Sequence, residues 1–206
     1  YERAADVGHG LRAIGLSAGG HVGVLSENRL EWVLAQMGAG LVGGVTVGVY
    51  PTSPSSEVAY VLAHADVEVV VCEDQEQSDK VLEALDQLPR LRRIVVVEQK
   101  GLRETIAAHG ERVVSFEQLE ALSREHRRAN PGLVDETLAA QTPEQIALMI
   151  YTSGSTGKPK GAMISYANIR AVVPGIVDRL RLDAGSTHLS YLPLCHVAEQ
   201  MLTTFV

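Results

Sequence analysis

The sequence predicts an α/β fold: a mostly parallel sheet with helices on both faces, built from βαβ units. Three observations lead to this fold class. From residue 21 onward, short β-branched runs alternate with longer amphipathic stretches. The run at residues 67–72 is almost continuously apolar, as a strand covered on both faces should be. The chain has 206 residues, of which 46% are hydrophobic, so it can bury a core in one or two domains.

Strands and helices alternate through the first part of the chain. An opening helix is predicted, whose apolar residues share one side: Ala4, Ala5, Leu11 and Ile14. Four strands are predicted at residues 21–26, 45–49, 67–72 and 94–97. After the first strand, Asn28 would cap a helix, with Glu31 three residues further on. The predicted buried stripe of this helix comprises Leu30, Val33, Leu34, Met37 and Leu41.

Two further helices follow the second and third strands. The apolar residues expected to face the sheet are Val58, Val61 and Leu62 in one helix, and Val81, Leu82, Leu85 and Leu88 in the other. Residues 99–142 are more polar and predict a surface connection with one helix at residues 116–127. The turn-forming sequence Asn130-Pro131-Gly132 predicts a boundary between a first α/β subdomain, residues 1–130, and the start of a second, residues 131–206.

The last quarter of the chain predicts a β-hairpin and a helix. Residues 146–151 and 162–165 are the expected strands, and the segment between them would be a hairpin loop. The following helix carries an apolar stripe, and Pro174-Gly175 should kink or interrupt it. Its apolar residues are Ile169, Val172, Val173, Ile176, Val177 and Leu180. Because the sequence opens and stops inside such patterns, we expect it to be a fragment of a longer protein.

Charge and composition exclude several classes of function. A net charge of −7 offers no broad basic surface, so we expect no nucleic-acid partner. Two cysteines, Cys72 and Cys195, are too few and too far apart for a zinc site or a disulfide framework, and they favour a reducing, cytoplasmic compartment. No apolar run reaches the roughly 18 residues of a membrane span. The sequence is compatible with peripheral membrane contact. It gives no indication of the oligomeric state.

One loop is rich in groups that bind phosphate. It combines four Ser and Thr hydroxyls, three glycines and two lysines in the run Tyr151-Thr152-Ser153-Gly154-Ser155-Thr156-Gly157-Lys158-Pro159-Lys160-Gly161. Glycines let backbone N–H groups approach an anion, hydroxyls add donors, and lysine supplies positive charge. A Walker loop is excluded twice, because Thr152 replaces its first glycine and Pro159 its magnesium-binding hydroxyl. The alternative is a solvated loop that only joins two strands.

A second glycine-rich segment matches a nucleotide-binding motif but is a weaker candidate for a binding site. Residues 38–43 fit G-x-G-x-x-G, the fingerprint of dinucleotide-binding proteins. In this chain a helical stripe runs into the glycines and a strand leaves them, which is the reverse of the required order. We therefore interpret these small residues as close packing of a helix end on the sheet.

A second segment worth testing is Ser190-Tyr191-Leu192-Pro193-Leu194-Cys195-His196-Val197-Ala198-Glu199-Gln200. Cys195 and His196 are neighbours whose side chains diverge, so they make a poor nucleophile and base pair. His196 and Glu199 could share a helix face, but two ligands rarely hold a metal. By itself, His196 could equally be a buried or helix-capping residue.

Both segments resemble the adenylate-forming (AMP-binding, ANL) superfamily. The loop at residues 151–161 is similar to its signature loop, which occurs in acyl-CoA synthetases, firefly luciferase and the adenylation domains of peptide synthetases. The tract at residues 190–200 is similar to one in fatty acyl-CoA synthetases. Together with Asn28-Arg29-Leu30-Glu31-Trp32 and Val49-Tyr50-Pro51-Thr52, it resembles the long-chain enzymes most. The chain would be part of the large N-terminal domain of such an enzyme.

The resemblance implies a reaction and roles for particular residues. A fatty carboxylate attacks the α-phosphate of ATP, and coenzyme A then displaces AMP, with Mg²⁺ neutralising phosphate oxygens. Lys160 and His196 are the implied catalytic residues, with His196 beside the reacting carboxylate. The implied ATP-binding residues are Thr152, Ser153, Gly154, Ser155, Thr156, Gly157 and Lys160.

Two limits follow from the same resemblance. The family's adenine-binding and magnesium-binding segments and its C-terminal lysine lie beyond residue 206, so this piece alone should be inactive. Lys158 could be only a solvated loop lysine. The alternatives are adenylation of an aryl or amino acid, or a non-catalytic nucleotide-binding module.

Overall fold

The structure is a computed structural model that describes residues 1–152 and 157–205. Seven strands form one sheet in the order β5-β4-β3-β1-β2-β6-β7. All neighbouring pairs are parallel except β6 and β7, which are antiparallel. The strands are β1 His21–Leu25, β2 Val45–Val49, β3 Val67–Cys72, β4 Arg93–Val96, β5 Val113–Ser115, β6 Ile146–Thr152 and β7 Lys160–Ser165. The predicted α/β fold with a mostly parallel sheet is confirmed.

Helices cover both faces of this sheet. They are α1 Glu2–Ala13, α2 Leu30–Leu41, α3 Ser55–His64, α4 Gln75–Leu82, α5 Arg103–His109, α6 Phe116–Ala129, α7 Leu133–Ala140, α8 Tyr166–Leu180 and α9 Val197–Glu199. In β3, Val69 and Val71 join a core shared with α1, α2 and α6, whereas Val70 and Cys72 join a core shared with α3 and α4. This two-sided burial explains the nearly continuous apolar run of β3. None of the helices in the described residues is long and apolar enough to cross a membrane.

The prediction for residues 99–142 was wrong in part. Besides the predicted helix, now α6, this region contains β5, α5 and α7. Val113 and Ser115 of β5 are buried, so the region contributes a sheet strand as well as surface. A three-residue strand is too short to show a period in the sequence. Strand β6, which follows the predicted boundary at residues 130–132, pairs with β2 in the same sheet, and the division into subdomains stays a prediction.

The buried face of α2 also differs from its prediction. Leu30 and Met37 are 56% and 43% exposed, whereas Leu34 of the predicted stripe is buried, together with Trp32, Ala35, Gln36, Gly38 and Ala39. A Cβ atom added to Gly38 would lie 2.8 Å from the carbonyl oxygen of Ala4 in α1. Gly38 therefore serves close packing, as interpreted, but against a helix rather than the sheet, whereas Gly43, with φ of +78°, permits the turn between α2 and β2. A periodicity of large apolar residues gives no signal for the small members of this face, Ala35, Gly38 and Ala39.

Helix α8 runs without interruption through Pro174, contrary to the expected break. Proline removes one backbone hydrogen bond from a helix interior. Ile169 and Val173 on one side of it, and Ile176 on the other, pack against a third buried cluster that includes Leu148 and Met201.

A pair of histidines joins α1 to α6. The Nδ1 atoms of His9 and His126 lie 3.0 Å apart, and His9 is only 2% exposed. One Nδ1 must therefore accept a hydrogen bond that the other donates. Two protonated rings cannot make this bond, because both nitrogens of an imidazolium are donors. Burial lowers the pKa of both rings, with added repulsion from Arg127 at His9 and from Arg12 at His126.

We expect the free energy of unfolding to fall as the pH drops below 6.5, the ordinary histidine value. In that range the unfolded chain binds protons that the folded pair resists, so acid favours unfolding. Urea unfolding at pH 7.5 and at pH values down to 5 should show this loss, and His126→Gln should reduce its slope. His109→Gln on the exposed end of α5 is the matched control. Equal slopes in both variants would contradict the assignment to this pair.

Candidate active site

A cleft of about 470 Å³ opens at the carboxyl ends of β2 and β6. The carboxyl edge of parallel strands is where α/β folds commonly bind ligands. The cleft is bordered by the loop after β2, helix α3, both arms of the β6–β7 hairpin and the segment before α9. Its lining residues are Gly48, Val49, Tyr50, Thr52, Ser53, Pro54, Glu57, Val61, Tyr151, Thr152, Pro159 and His196.

The glycine-rich loop is the connection of a β-hairpin, as predicted. Strands β6 and β7 are antiparallel, with Thr152 opposite Lys160. Both side chains are exposed, and Thr152 lines the cleft, whereas Lys160 follows the lining residue Pro159. Four predicted phosphate ligands, Ser153, Gly154, Ser155 and Thr156, lie outside the described residues.

At two positions of the loop, the structure shows why a glycine is required. Gly157 has φ of +137°, a conformation that side-chain-bearing residues rarely adopt. At Gly161, an added Cβ would lie 3.0 Å from the ring of Tyr151 on the facing strand. Gly157 therefore permits the turn, and Gly161 permits the close cross-strand contact that shapes the arm of the hairpin.

His196 reaches the cleft from the other end of the chain. It precedes α9, is exposed, and its Nδ1 accepts a hydrogen bond of 3.2 Å from the backbone N–H of Ala198. In the neutral ring an accepting Nδ1 leaves the proton on Nε2. His196 thus caps a helix turn and also presents an N–H donor at the cleft.

Asn28 holds the segment that carries His196. Its amide nitrogen donates to Oγ of Ser190 at 2.9 Å and to the carbonyl oxygen of Leu192 at 2.7 Å. Its carbonyl oxygen accepts from the N–H of Leu194 at 2.8 Å. The prediction that Asn28 caps α2 was wrong, because the helix begins at Leu30 after Arg29 and the Asn28 side chain is fully used by this distant segment.

A glycine in β2 allows the same segment to pack closely. A Cβ atom added to Gly48 would lie 2.9 Å from Cα of Cys195. On the other side, Gln200 donates to the carbonyl oxygen of Leu194, and Gln36 of α2 donates to Oε1 of Gln200 at 2.6 Å. The backbone beside His196 is therefore fixed from the loop after β1, from β2 and from α2 together.

The family model described as "AMP-binding enzyme" matches residues 1–206. The chain belongs to this family. It is 33% identical to the long-chain-fatty-acid–CoA ligase ACSBG2 of Xenopus laevis, over 98% of this chain and 27% of that protein. The resemblance to the adenylate-forming superfamily is thereby confirmed.

Solved structures of this AMP-binding family have the same fold. A putative long-chain-fatty-acid CoA ligase from Rhodopseudomonas palustris superimposes with a TM-score of 0.75 at 24% identity, over 98% of this chain and 46% of that chain. ATP-bound MatB from the same organism gives 0.71 at 22% identity, over 98% and 36%. The chain thus spans about a quarter to a half of the length of these relatives.

Two side chains near the cleft in this AMP-binding chain, those of Cys195 and Glu199, are unsuited to covalent or acid–base chemistry with His196. Burial raises the pKa of the Cys195 thiol to about 12, so the thiol stays protonated at neutral pH and cannot act as a nucleophile. Glu199 is fully buried and accepts from His188, Thr203 and the N–H of Leu192, so it does not act together with His196. Within the described residues, no three His, Cys, Asp or Glu side chains come together as metal ligands.

Sequence reasoning missed the residues beneath the hairpin. The hydroxyl of Tyr151 lies 2.7 Å from Nδ1 of His64, and Tyr60 contacts the hairpin arm at Pro159. Both Tyr60 and His64 belong to α3, where the sequence showed only an apolar stripe. Residues 28–32, which include Asn28, did resemble the family in sequence. The structural role of Asn28 was not visible there, because its hydrogen-bond partner Ser190 lies more than 160 residues away.

Replacing Asn28 with alanine should destabilise the fold by about 2–3 kcal/mol. Three neutral hydrogen bonds are lost, and the part-buried groups of Ser190, Leu192 and Leu194 are left without these hydrogen-bond partners. Urea unfolding of this chain measures the loss. Asn130→Ala, which removes an exposed amide at the end of α6, is the matched control and should cost much less. A loss no larger than that of the control would show that Asn28 does not hold the segment.

Proposed function

We propose that the protein containing this chain activates a fatty carboxylate with ATP, forming an acyl-adenylate and pyrophosphate and then acyl-CoA and AMP. One observation carries the proposal: the hairpin arms and His196 border the same cleft. The family resemblance assigns these two segments to the phosphates and to the carboxylate. With these roles, their convergence would bring a phosphate-binding loop and a carboxylate-binding donor to one place.

The proposed catalysis is positioning and electrostatic stabilisation. Two anions, a carboxylate and the triphosphate, must be held together, and charge must be stabilised as it moves to pyrophosphate. Thr152 and loop residues 153–156 would donate to the β- and γ-phosphates, with Lys160 supplying positive charge. The Nε2–H of His196 would donate to a carboxylate or acyl-adenylate oxygen. No protein nucleophile is needed.

Magnesium and coenzyme A enter this proposal as partners of the reaction. Mg²⁺ would arrive on the phosphate oxygens of ATP, since Glu57 is the only carboxylate among the described residues that line the cleft. Coenzyme A is the second substrate, and its thiol attacks the acyl-adenylate carbonyl. We propose a cytoplasmic location, supported by two buried free cysteines that suit a reducing compartment.

The long-chain substrate class is supported by the identity to ACSBG2. Solved structures with this fold include an anthranilate CoA ligase and an acetoacetyl-CoA synthetase, so the fold alone does not identify the carboxylate substrate. Carboxylate-dependent ATP–pyrophosphate exchange by the full-length protein tests the assignment, with fatty acids of several lengths, an aryl acid and amino acids as substrates. Exchange that requires an aryl or amino acid would reject the fatty substrate class.

A second measurement separates catalysis from binding. Calorimetry with ATP should detect binding by the full-length protein, and residues 1–206 alone should form no acyl-CoA. ATP binding without exchange by the full-length protein for any carboxylate would favour a nucleotide-binding module.

A further inference from the structure

Tyr60 contacts the hairpin arm at two consecutive residues. Its hydroxyl donates to the carbonyl oxygen of Pro159 at 3.1 Å, and Nζ of Lys158 lies 5.0 Å from the centre of its ring. The first contact is a hydrogen bond, and the second is within the range of a cation–π interaction. Lys158 therefore has a specific neighbour, in contrast to the solvated lysine considered from the sequence.

The side chain that makes these contacts is itself held in place. The rings of Tyr60 and His64 are 5.4 Å apart on one side of α3, and His64 lies within hydrogen-bond distance of the Tyr151 hydroxyl. Tyr151 belongs to β6 and is 5% exposed. Burial and nearby negative groups raise its pKa to about 12, so this hydroxyl stays neutral at physiological pH. Helix α3 thus joins the buried strand of the hairpin to the arm that leaves the loop.

We propose that Tyr60 is a positioning residue that fixes residues 158–160 so that Lys160 is oriented for the phosphates of ATP. The inference rests on the proposed function, since it concerns the same loop. Lys160 is the next residue after Pro159, whose carbonyl Tyr60 holds, and it is the first residue of β7. If this arm is already fixed before ATP binds, less conformational entropy is lost on binding.

Two substitutions separate the contacts. Tyr60→Phe keeps the ring beneath Lys158 and removes the hydrogen bond to Pro159, whereas Tyr60→Leu removes both. In ATP–pyrophosphate exchange by the full-length protein, we expect the KM for ATP to rise about threefold in the first variant and about tenfold in the second. The KM for the carboxylate should stay unchanged, because Tyr60 does not line the cleft.

The matched control is Tyr166→Phe, which removes a tyrosine hydroxyl at the start of α8, remote from the cleft lining. It should leave both KM values unchanged. A general loss of structure in the Tyr60 variants would lower the active fraction and kcat without a selective rise in the KM for ATP. An unchanged KM for ATP in Tyr60→Leu would overturn the positioning role.

Limited trypsin digestion tests the arm without relying on activity. Trypsin cleaves poorly before proline, so the Lys158–Pro159 bond resists it, whereas the Lys160–Gly161 bond is cleavable once β7 opens locally. We expect cleavage there to be several-fold faster in Tyr60→Leu than in the unmodified protein or in Tyr166→Phe. Equal rates would overturn the inference. If no carboxylate supports exchange, the proposed function fails, and these cleavage rates still decide whether Tyr60 holds the arm.

Discussion

Replacing Lys160 with alanine in the full-length protein should slow adenylation about a hundredfold, measured as fatty-acid-dependent ATP–pyrophosphate exchange. The magnitude is typical for removal of one group that stabilises developing charge in a transition state. Lys160 begins β7 opposite Thr152, at the point where the hairpin borders the cleft. In a chain of net charge −7, it places positive charge where the phosphates of ATP would lie.

The controls for Lys160 distinguish local charge from total charge. Lys160→Arg keeps the charge and should retain much of the activity. Lys100→Ala removes the same charge from an exposed position outside the cleft lining and should have no effect. Because Lys160 is exposed, its removal should change the free energy of unfolding by less than about 0.5 kcal/mol. Unchanged exchange in Lys160→Ala would remove this residue from the proposed mechanism.

The second large effect is expected at His196. His196→Ala should reduce acyl-adenylate formation about a hundredfold, because the donor facing the carboxylate is lost. The same change also removes the acceptor for the N–H of Ala198. His196→Asn separates the two roles, since an asparagine oxygen caps a helix well, whereas its amide N–H group reaches less far than the imidazole Nε2–H.

We expect the asparagine variant to keep the thermal stability of the unmodified protein and yet to remain impaired in adenylation. His109→Ala, an exposed histidine on α5, is the matched control. If His196→Ala has the kinetics of the unsubstituted protein at saturating fatty acid but a lower melting temperature, this residue acts only as a helix cap.

Strands were predicted well wherever a β-branched run was bounded by turn residues. The predictions for β2 and β3 coincide with the observed strands, and the hairpin of β6 and β7 was anticipated from two short runs around the glycine-rich loop. The prediction failed where periodicity was weak. Strand β5 is three residues long, and half of the buried residues of α2 are the small residues Ala35, Gly38 and Ala39.

The candidate site was partly predictable for a different reason. A phosphate loop is a local motif, so the identity and spacing of residues such as Thr152, Gly157 and Lys160 were visible in the sequence. His196 was found only through resemblance. Resemblance marked residues 28–32 but gave Asn28 no role in the site, and neither approach indicated Tyr60, because each side chain acts on a segment about 100 or more residues away.

The sequence by itself determined the α/β class, the hairpin that carries the loop, and membership of the AMP-binding family. These depend on local periodicity and on short motifs, which are properties of neighbouring residues. Only the tertiary structure decided that His196 shares a cleft with the hairpin and that Asn28 and Gly48 place it there. Such contacts arise because parallel strands bring their carboxyl ends to one edge of the sheet, whatever their separation along the chain.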